Sequence, residues 1–122
     1  MKTLILDYSK WRCGGNGMNQ LGNGPTLLLN DEGFMCCLGQ FAKQINPTIT
    51  NKLLLGVGVP EDLEEEIEDL VYIGDKYHGD TNLTNSAISI NDDSNITPEE
   101  RIELLKEKFA EYNYEIEVIN KP

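Results

Sequence analysis

The chain has 122 residues, 39% of them hydrophobic and 25% charged, enough for one hydrophobic core and too little for a second. Twenty-one acidic residues against ten basic ones give a net charge of −11. Direct binding to nucleic acid through overall charge is excluded on that balance, because a phosphate backbone needs a cationic surface. The one apolar run near the start, Leu4 to Leu6, is too short for a secretory hydrophobic region, and no other segment approaches membrane-spanning length. A cytoplasmic protein without a membrane partner is expected.

In chain order, Lys2 to Leu6 reads as a strand with Leu4 and Leu6 on one face and Thr3 and Ile5 on the other. Five glycines between Gly14 and Gly24, interleaved with Asn16, Asn19, Gln20 and Asn23, predict an irregular loop. Thr26 to Leu29 is a short apolar run expected to form a buried strand. Asn30-Asp31-Glu32-Gly33 has the chemistry of a turn. Phe34, Cys37, Leu38, Phe41 and Ile45 then fall on one helical stripe, predicting a core helix over 34–45 that stops at Asn46-Pro47. Gly39 inside that helix points to a close neighbour. Thr48 to Leu55 fits a helical turn or a strand, and Gly56-Val57-Gly58-Val59-Pro60 breaks either.

Glu61 to Tyr72 is a candidate acidic helix, followed by a loop that holds Lys76, Tyr77 and the single histidine, His78. Leu83, Ala87 and Ile90 suggest a short helix capped by Thr81 or Asn82. Asn91 to Asn95 is a polar turn without the central glycine or terminal acid of a calcium loop. Thr97-Pro98-Glu99-Glu100 has the form of a helix start, with Ile102, Leu105, Phe109 and Tyr112 as the buried stripe. Tyr114, Ile116 and Val118 alternate with Glu115 and Glu117 as in a half-exposed strand. The expected fold is a single α+β domain over residues 1–122: a small antiparallel sheet of the two terminal strands, packed against about four helices.

Charge is divided unevenly. Residues 1–60 carry five basic and three acidic residues; residues 61–122 carry five basic and 18 acidic ones. The densest run, Glu61 to Asp69, has seven acids in nine residues. It is either a solvated helix face or a decoy that imitates the phosphates of DNA. Three cysteines, Cys13, Cys36 and Cys37, are too few and odd in number for a disulfide scaffold. They lack the paired spacing of a zinc site, with or without His78, so buried apolar packing is the expected role and no metal or cofactor is expected. A thiol nucleophile paired with His78 is disfavoured, because Cys36 and Cys37 sit on or beside a core stripe.

The start of the glycine-rich loop, Lys10-Trp11-Arg12-Cys13-Gly14-Gly15, is the most informative motif. Tryptophan is a stacking surface, arginine offers a planar fork for phosphate, and adjacent glycines let a ligand approach consecutive backbone N–H groups. The pattern is neither a P-loop nor a dinucleotide fingerprint. The alternative is a surface loop whose tryptophan plugs the core.

Taken together, Arg12-Cys13-Gly14-Gly15, Leu28-Leu29-Asn30, Gly33-Phe34-Met35-Cys36-Cys37-Leu38-Gly39 and Ile90-Asn91-Asp92-Asp93 resemble small bacteriophage and prophage proteins with a Cys-Cys-Leu-Gly helix start and a later Asn-Asp turn. The resemblance runs from Trp11 to Val118. It implies a phage origin and a counter-defence role. Small acidic phage proteins of that kind sequester nucleotide immune signals or mimic DNA, and they tend to oligomerise.

The leading expectation is thus a non-enzymatic homo-oligomer that captures a small nucleotide-derived signal, a cyclic ADP-ribose-like molecule or a cyclic dinucleotide. Trp11 would stack on the base and Arg12 would pair with phosphate. Gly14 and Gly15 would admit the ligand to the backbone, and Asn16 and Asn30 would meet its polar edges. Lys76, Tyr77 and His78 would form a second wall. The alternatives are an acidic inhibitor that occupies the basic groove of a host defence enzyme, with Glu64, Glu65, Glu66 and Glu68 as its key charges, and a small hydrolase of the same signals.

Overall fold

A computed structural model describes residues 2–14, 19–57 and 82–122. The first strand, β1, is Lys2–Asp7 and the last, β2, is Tyr114–Ile119. They pair directly, with Leu4 opposite Ile116 and Leu6 opposite Val118. On both strands the apolar alternate residues turn inward, and Thr3, Glu115 and Glu117 lie exposed on the outer face. The two strands run parallel, which corrects the antiparallel sheet expected from the sequence. Alternation tells which residues face the core, and it is the same for either strand direction. A parallel pair needs a long crossover, and here the whole body of the domain supplies it.

Four helices lie between the strands among the described residues: α1 (Cys37–Ile45), α2 (Asn51–Leu54), α3 (Asn82–Asp92) and α4 (Pro98–Ala110). A 3-10 turn, Tyr8–Lys10, follows β1 and is capped by Asp7, whose Oδ1 accepts from the Ser9 backbone N–H at 3.1 Å. Helix α1 begins three residues later than its apolar stripe suggests. Met35 is held in extended backbone instead, donating to the Lys10 carbonyl at 2.9 Å and accepting from the Arg12 N–H at 2.7 Å. The close neighbour expected at Gly39 is the Leu28 carbonyl: a Cβ at Gly39 would lie 1.9 Å from that oxygen.

Thr26 to Leu29 does not form a regular strand. It is pinned on both sides by single hydrogen bonds, from Leu28 N–H to the Val57 carbonyl, from Gly56 N–H to Leu29 and from Cys36 N–H to Leu27. The turn after it forms as expected, with Asn30 Oδ1 accepting from the N–H groups of Glu32 and Phe34 at 2.9 and 3.1 Å. Thr50 caps α2, resolving the ambiguity of that stretch in favour of a helical turn. Helix α4 carries a complete capping box between Thr97 and Glu100, with Pro98 at its first position. Its Ile102, Leu105 and Phe109 are buried, and Phe109 packs edge-on against Phe41 of α1 and Tyr114 of β2, at ring separations of 5.2 and 6.2 Å.

One edge of the sheet is closed by side chains. Gln40 and Gln44, one turn apart on α1, behave as a surrogate strand beside β1. Gln44 accepts from the Ile5 N–H at 2.6 Å and donates to the Ile5 carbonyl at 2.7 Å. Gln40 accepts from the Asp7 N–H at 2.7 Å and donates to its carbonyl at 3.1 Å.

Candidate functional site

The Trp-Arg-Cys-Gly segment that leaves the 3-10 turn runs through the interior. Trp11 is fully buried, with 0% of its surface exposed. Its ring packs edge-on to Tyr8, and its Nε1 donates to Asn91 Oδ1 at 2.7 Å. Arg12 is 2% exposed. Its Nε donates to the Gly24 carbonyl at 2.7 Å, and its Nη1 donates to the carbonyls of Cys13 and Gly14 at 2.7 and 2.8 Å. Burial holds the Arg12 guanidinium below its ordinary pKa, against the opposing pull of Cys13 and Asp92. The indole and the guanidinium are therefore engaged by the protein itself, and neither presents a face on which a base or a phosphate can settle. This corrects the ligand-facing placement expected of Trp11 and Arg12.

Gly14 and Asn30 are also structural. Gly14 has a positive φ of 79° and donates its N–H to the Asn91 carbonyl at 2.7 Å; a Cβ there would lie 2.7 Å from Arg101 Nη2. Asn30 fills its side-chain capacity within the loop, its Nδ2 donating to the carbonyls of Asn23 and Pro25 at 2.7 and 2.9 Å. Gly15, Asn16, Lys76, Tyr77 and His78 lie outside the described residues, as do the acidic run from Glu61 to Asp69 and the helix expected around it.

Two residues absent from the expected site organise this region. Asn91, near the end of α3, is 1% exposed. Its Oδ1 accepts from Trp11 Nε1 and from the Cys37 N–H at 3.1 Å, and its Nδ2 donates to the Arg12 carbonyl at 3.1 Å and to Asp92 Oδ1 at 3.0 Å. One amide thus joins α3, the start of α1 and the segment after β1. Arg101 of α4 is 0% exposed. It donates to the Asp93 carbonyl from Nη2 at 2.7 Å, to the Asn19 carbonyl from Nη1 at 2.7 Å, and to Cys13 Sγ at 3.3 Å. Carbonyl dipoles replace water around both buried guanidinium groups, which keeps their desolvation tolerable.

The sequence signal for both residues is positional. Asn91 continues the line Leu83, Ala87 at four-residue steps, and Arg101 precedes Leu105 and Phe109 at the same steps. Each is a polar residue in register with a buried stripe.

The chemistry available here is limited. Burial pushes the Cys13 and Cys36 thiols up to about 11, and Cys37 well above its ordinary value. Thiolate formation at neutral pH is suppressed in all three. Iodoacetamide at pH 8 is expected to leave the native protein unlabelled on the timescale that labels all three cysteines in denaturant; rapid native labelling, read by intact mass, would refute this burial. Among the described residues, no group of three or more His, Cys, Asp or Glu side chains is placed to hold a metal ion. No helix among them is long and apolar enough to cross a membrane. A void of about 10 Å³ beside Cys36, Cys37, Ile88, Asn91 and Asp92 has room for one water at most.

What the described surface does offer is negative charge. Glu99, Glu103 and Glu107 follow one another at four-residue steps along α4, with Glu111 at its C-cap, all exposed, and Glu115 and Glu117 extend the series onto the outer face of β2. Among the described residues, Lys121 pairs with Glu99 at 4.0 Å and Lys108 with Glu111 at 3.6 Å, leaving Glu103, Glu107, Glu115 and Glu117 without an ion pair. Like charges at this spacing each cost a helix about 0.2–0.5 kcal/mol. An open concavity of about 340 Å³ lies at the head of α4, lined by Glu99, Glu100, Glu103 and Leu104, the last 40% exposed.

Comparison with protein-family models, curated proteins and solved structures finds no match to this chain.

Proposed function

We propose that the protein is a non-catalytic binding protein that occupies a cationic, nucleic-acid-binding surface of a partner, as an acidic counter-defence decoy of phage origin does. The observation that supports this most is the unpaired glutamate series on α4 and β2. Its N-terminal members Glu99 and Glu103 line a concavity with the exposed Leu104, which gives a partner an apolar contact inside the charged field. The interior engagement of Trp11 and Arg12 removes the two anchors on which capture of a nucleotide signal relied, and this moves the preference to a protein partner.

The test is displacement from DNA. Duplex DNA on a solid support is charged with bacterial lysate proteins and then washed at low salt with the purified protein. Selective release of DNA-bound proteins is expected, fading as salt is raised. A variant carrying Glu99→Gln, Glu103→Gln, Glu107→Gln, Glu115→Gln and Glu117→Gln should need roughly tenfold more protein for the same release. No release, or equal release by the variant, would refute the reading. A thermal shift with adenine nucleotides or cyclic dinucleotides would instead favour nucleotide capture.

A further inference from the structure

The two edges of the sheet are treated differently. Ile5 and Asp7 give both backbone groups to the glutamines of α1. Backbone groups alternate along a strand, so Leu4 and Leu6 give theirs to β2. In a parallel ladder, each residue bonds the two neighbours of its opposite residue. Leu4 stands opposite Ile116 and Leu6 opposite Val118. The bonds to β1 are therefore made by Glu115, Glu117 and Ile119, and the N–H and C=O groups of Ile116 and Val118 point to the far edge. Among the described residues, the backbone groups of Ile116 and Val118 make no hydrogen bond at that edge. Beside it opens a concavity of about 290 Å³, lined by Lys106 and Ala110 of α4 and by Tyr114, Glu115 and Ile116.

A sheet of two parallel strands, closed on one side and with no described backbone partner for Ile116 and Val118 on the other, is a template for one more strand. We propose that the open edge of β2 takes up an extended, cationic segment of a partner protein as a third strand. The inference rests on the proposed protein-partner function and names the form of its contact.

Charge selects the occupant. A strand added here would set alternate side chains beside Glu115 and Glu117 on the outer face, where lysine or arginine pairs favourably. Its other side chains would turn toward Ala110 and Lys106, where a small or β-branched apolar residue fits and a basic one is repelled. The recognised segment thus alternates basic and apolar residues. A second copy of this chain is a poor occupant, because pairing β2 with β2 would bring the Glu115 and Glu117 side chains of both copies together.

The probe is a synthetic peptide that alternates lysine and valine over six residues. A peptide of the same composition with the lysines in one block is the control. The alternating peptide is expected to bind the full-length protein more tightly, by fluorescence anisotropy, and to slow amide hydrogen exchange at Ile116 and Val118. Glu115→Lys with Glu117→Lys should weaken binding about tenfold. Val118→Pro removes an edge-facing N–H that bonds no described residue, and should abolish peptide protection while keeping the circular dichroism spectrum of a folded protein, at a lowered melting temperature because the Val118 side chain packs against the core. If that variant does not fold, the alternating peptide N-methylated on its pairing residues is used, and should not bind.

Equal binding of alternating and block peptides, or binding without protection at Ile116 and Val118, would overturn the inference. So would protection that rises with protein concentration alone, which would assign the edge to a second copy. DNA displacement that depends on the α4 glutamates but survives Val118→Pro would sink the edge and leave the acidic-decoy function standing. Peptide protection without DNA displacement would do the reverse.

Discussion

Replacing Asn91 with leucine is expected to destabilise the protein by about 3–6 kcal/mol, because a buried donor or acceptor that loses its partner costs about 1–3 kcal/mol. Leucine keeps the branching and the number of heavy atoms but leaves Trp11 Nε1, the Cys37 N–H and the Arg12 carbonyl without their amide partner. That loss is a large share of the roughly 5–15 kcal/mol that holds a domain folded. Urea unfolding followed by tryptophan fluorescence measures it directly, since Trp11 is the single tryptophan. Asn91→Asp separates the contributions. It keeps an acceptor for Trp11 and Cys37 but loses the donors to the Arg12 carbonyl and Asp92 and buries a carboxylate against both, so a loss at least as large as for leucine is expected at neutral pH. A change below about 1 kcal/mol in Asn91→Leu would show that the amide is not the joint described.

Gly39→Ala is expected to have the other large effect. The added Cβ would lie 1.9 Å from the Leu28 carbonyl oxygen and 2.6 Å from its carbon. Both atoms are main chain, and Leu28 is itself tied to Val57 by its N–H, so α1 must move away from the segment it packs on. A loss of more than about 4 kcal/mol, seen as failure to recover folded protein, is the expected result. Gly33→Ala is the matched control. Its φ is 86° and nothing lies within 4 Å of its would-be Cβ, so only left-handed backbone strain of about 1–2 kcal/mol opposes it. Equal thermal midpoints for the two variants would refute the close contact at Gly39.

Neither variant touches the acidic surface. Loss of DNA displacement in Asn91→Leu at a temperature where it remains folded would therefore implicate the interior in binding. Unchanged displacement is expected.

The pattern-bearing elements were legible in the residues alone. The alternation at Leu4, Leu6, Tyr114, Ile116 and Val118 marks the inner faces of both strands. Thr97-Pro98-Glu99-Glu100 marks the start of α4. Gly39 marks a close approach. These features are local: each follows from side-chain period or from the needs of one helix end.

The reading of Trp11 and Arg12 failed for a physical reason. The properties that suit tryptophan and arginine to a nucleotide, a broad apolar surface and a fan of donors, suit them equally to a core with carbonyls to satisfy. Composition does not distinguish the two uses. What decided between them was Asn91 beside the indole and the carbonyls of Cys13, Gly14 and Gly24 around the guanidinium. Asn91 is 80 residues away in the chain from Trp11.

By itself, the amino-acid sequence determined the acidic balance, the inward faces of the strands and of α1 and α4, and the capped start of α4. These depend on residue type and short-range spacing. Tertiary structure alone decided the parallel direction of the sheet, the closure of one edge by Gln40 and Gln44, and the burial of two guanidinium groups on carbonyl oxygens. Those depend on which distant backbone groups meet, and a hydrogen-bonding group carries no record of its partner in its own identity.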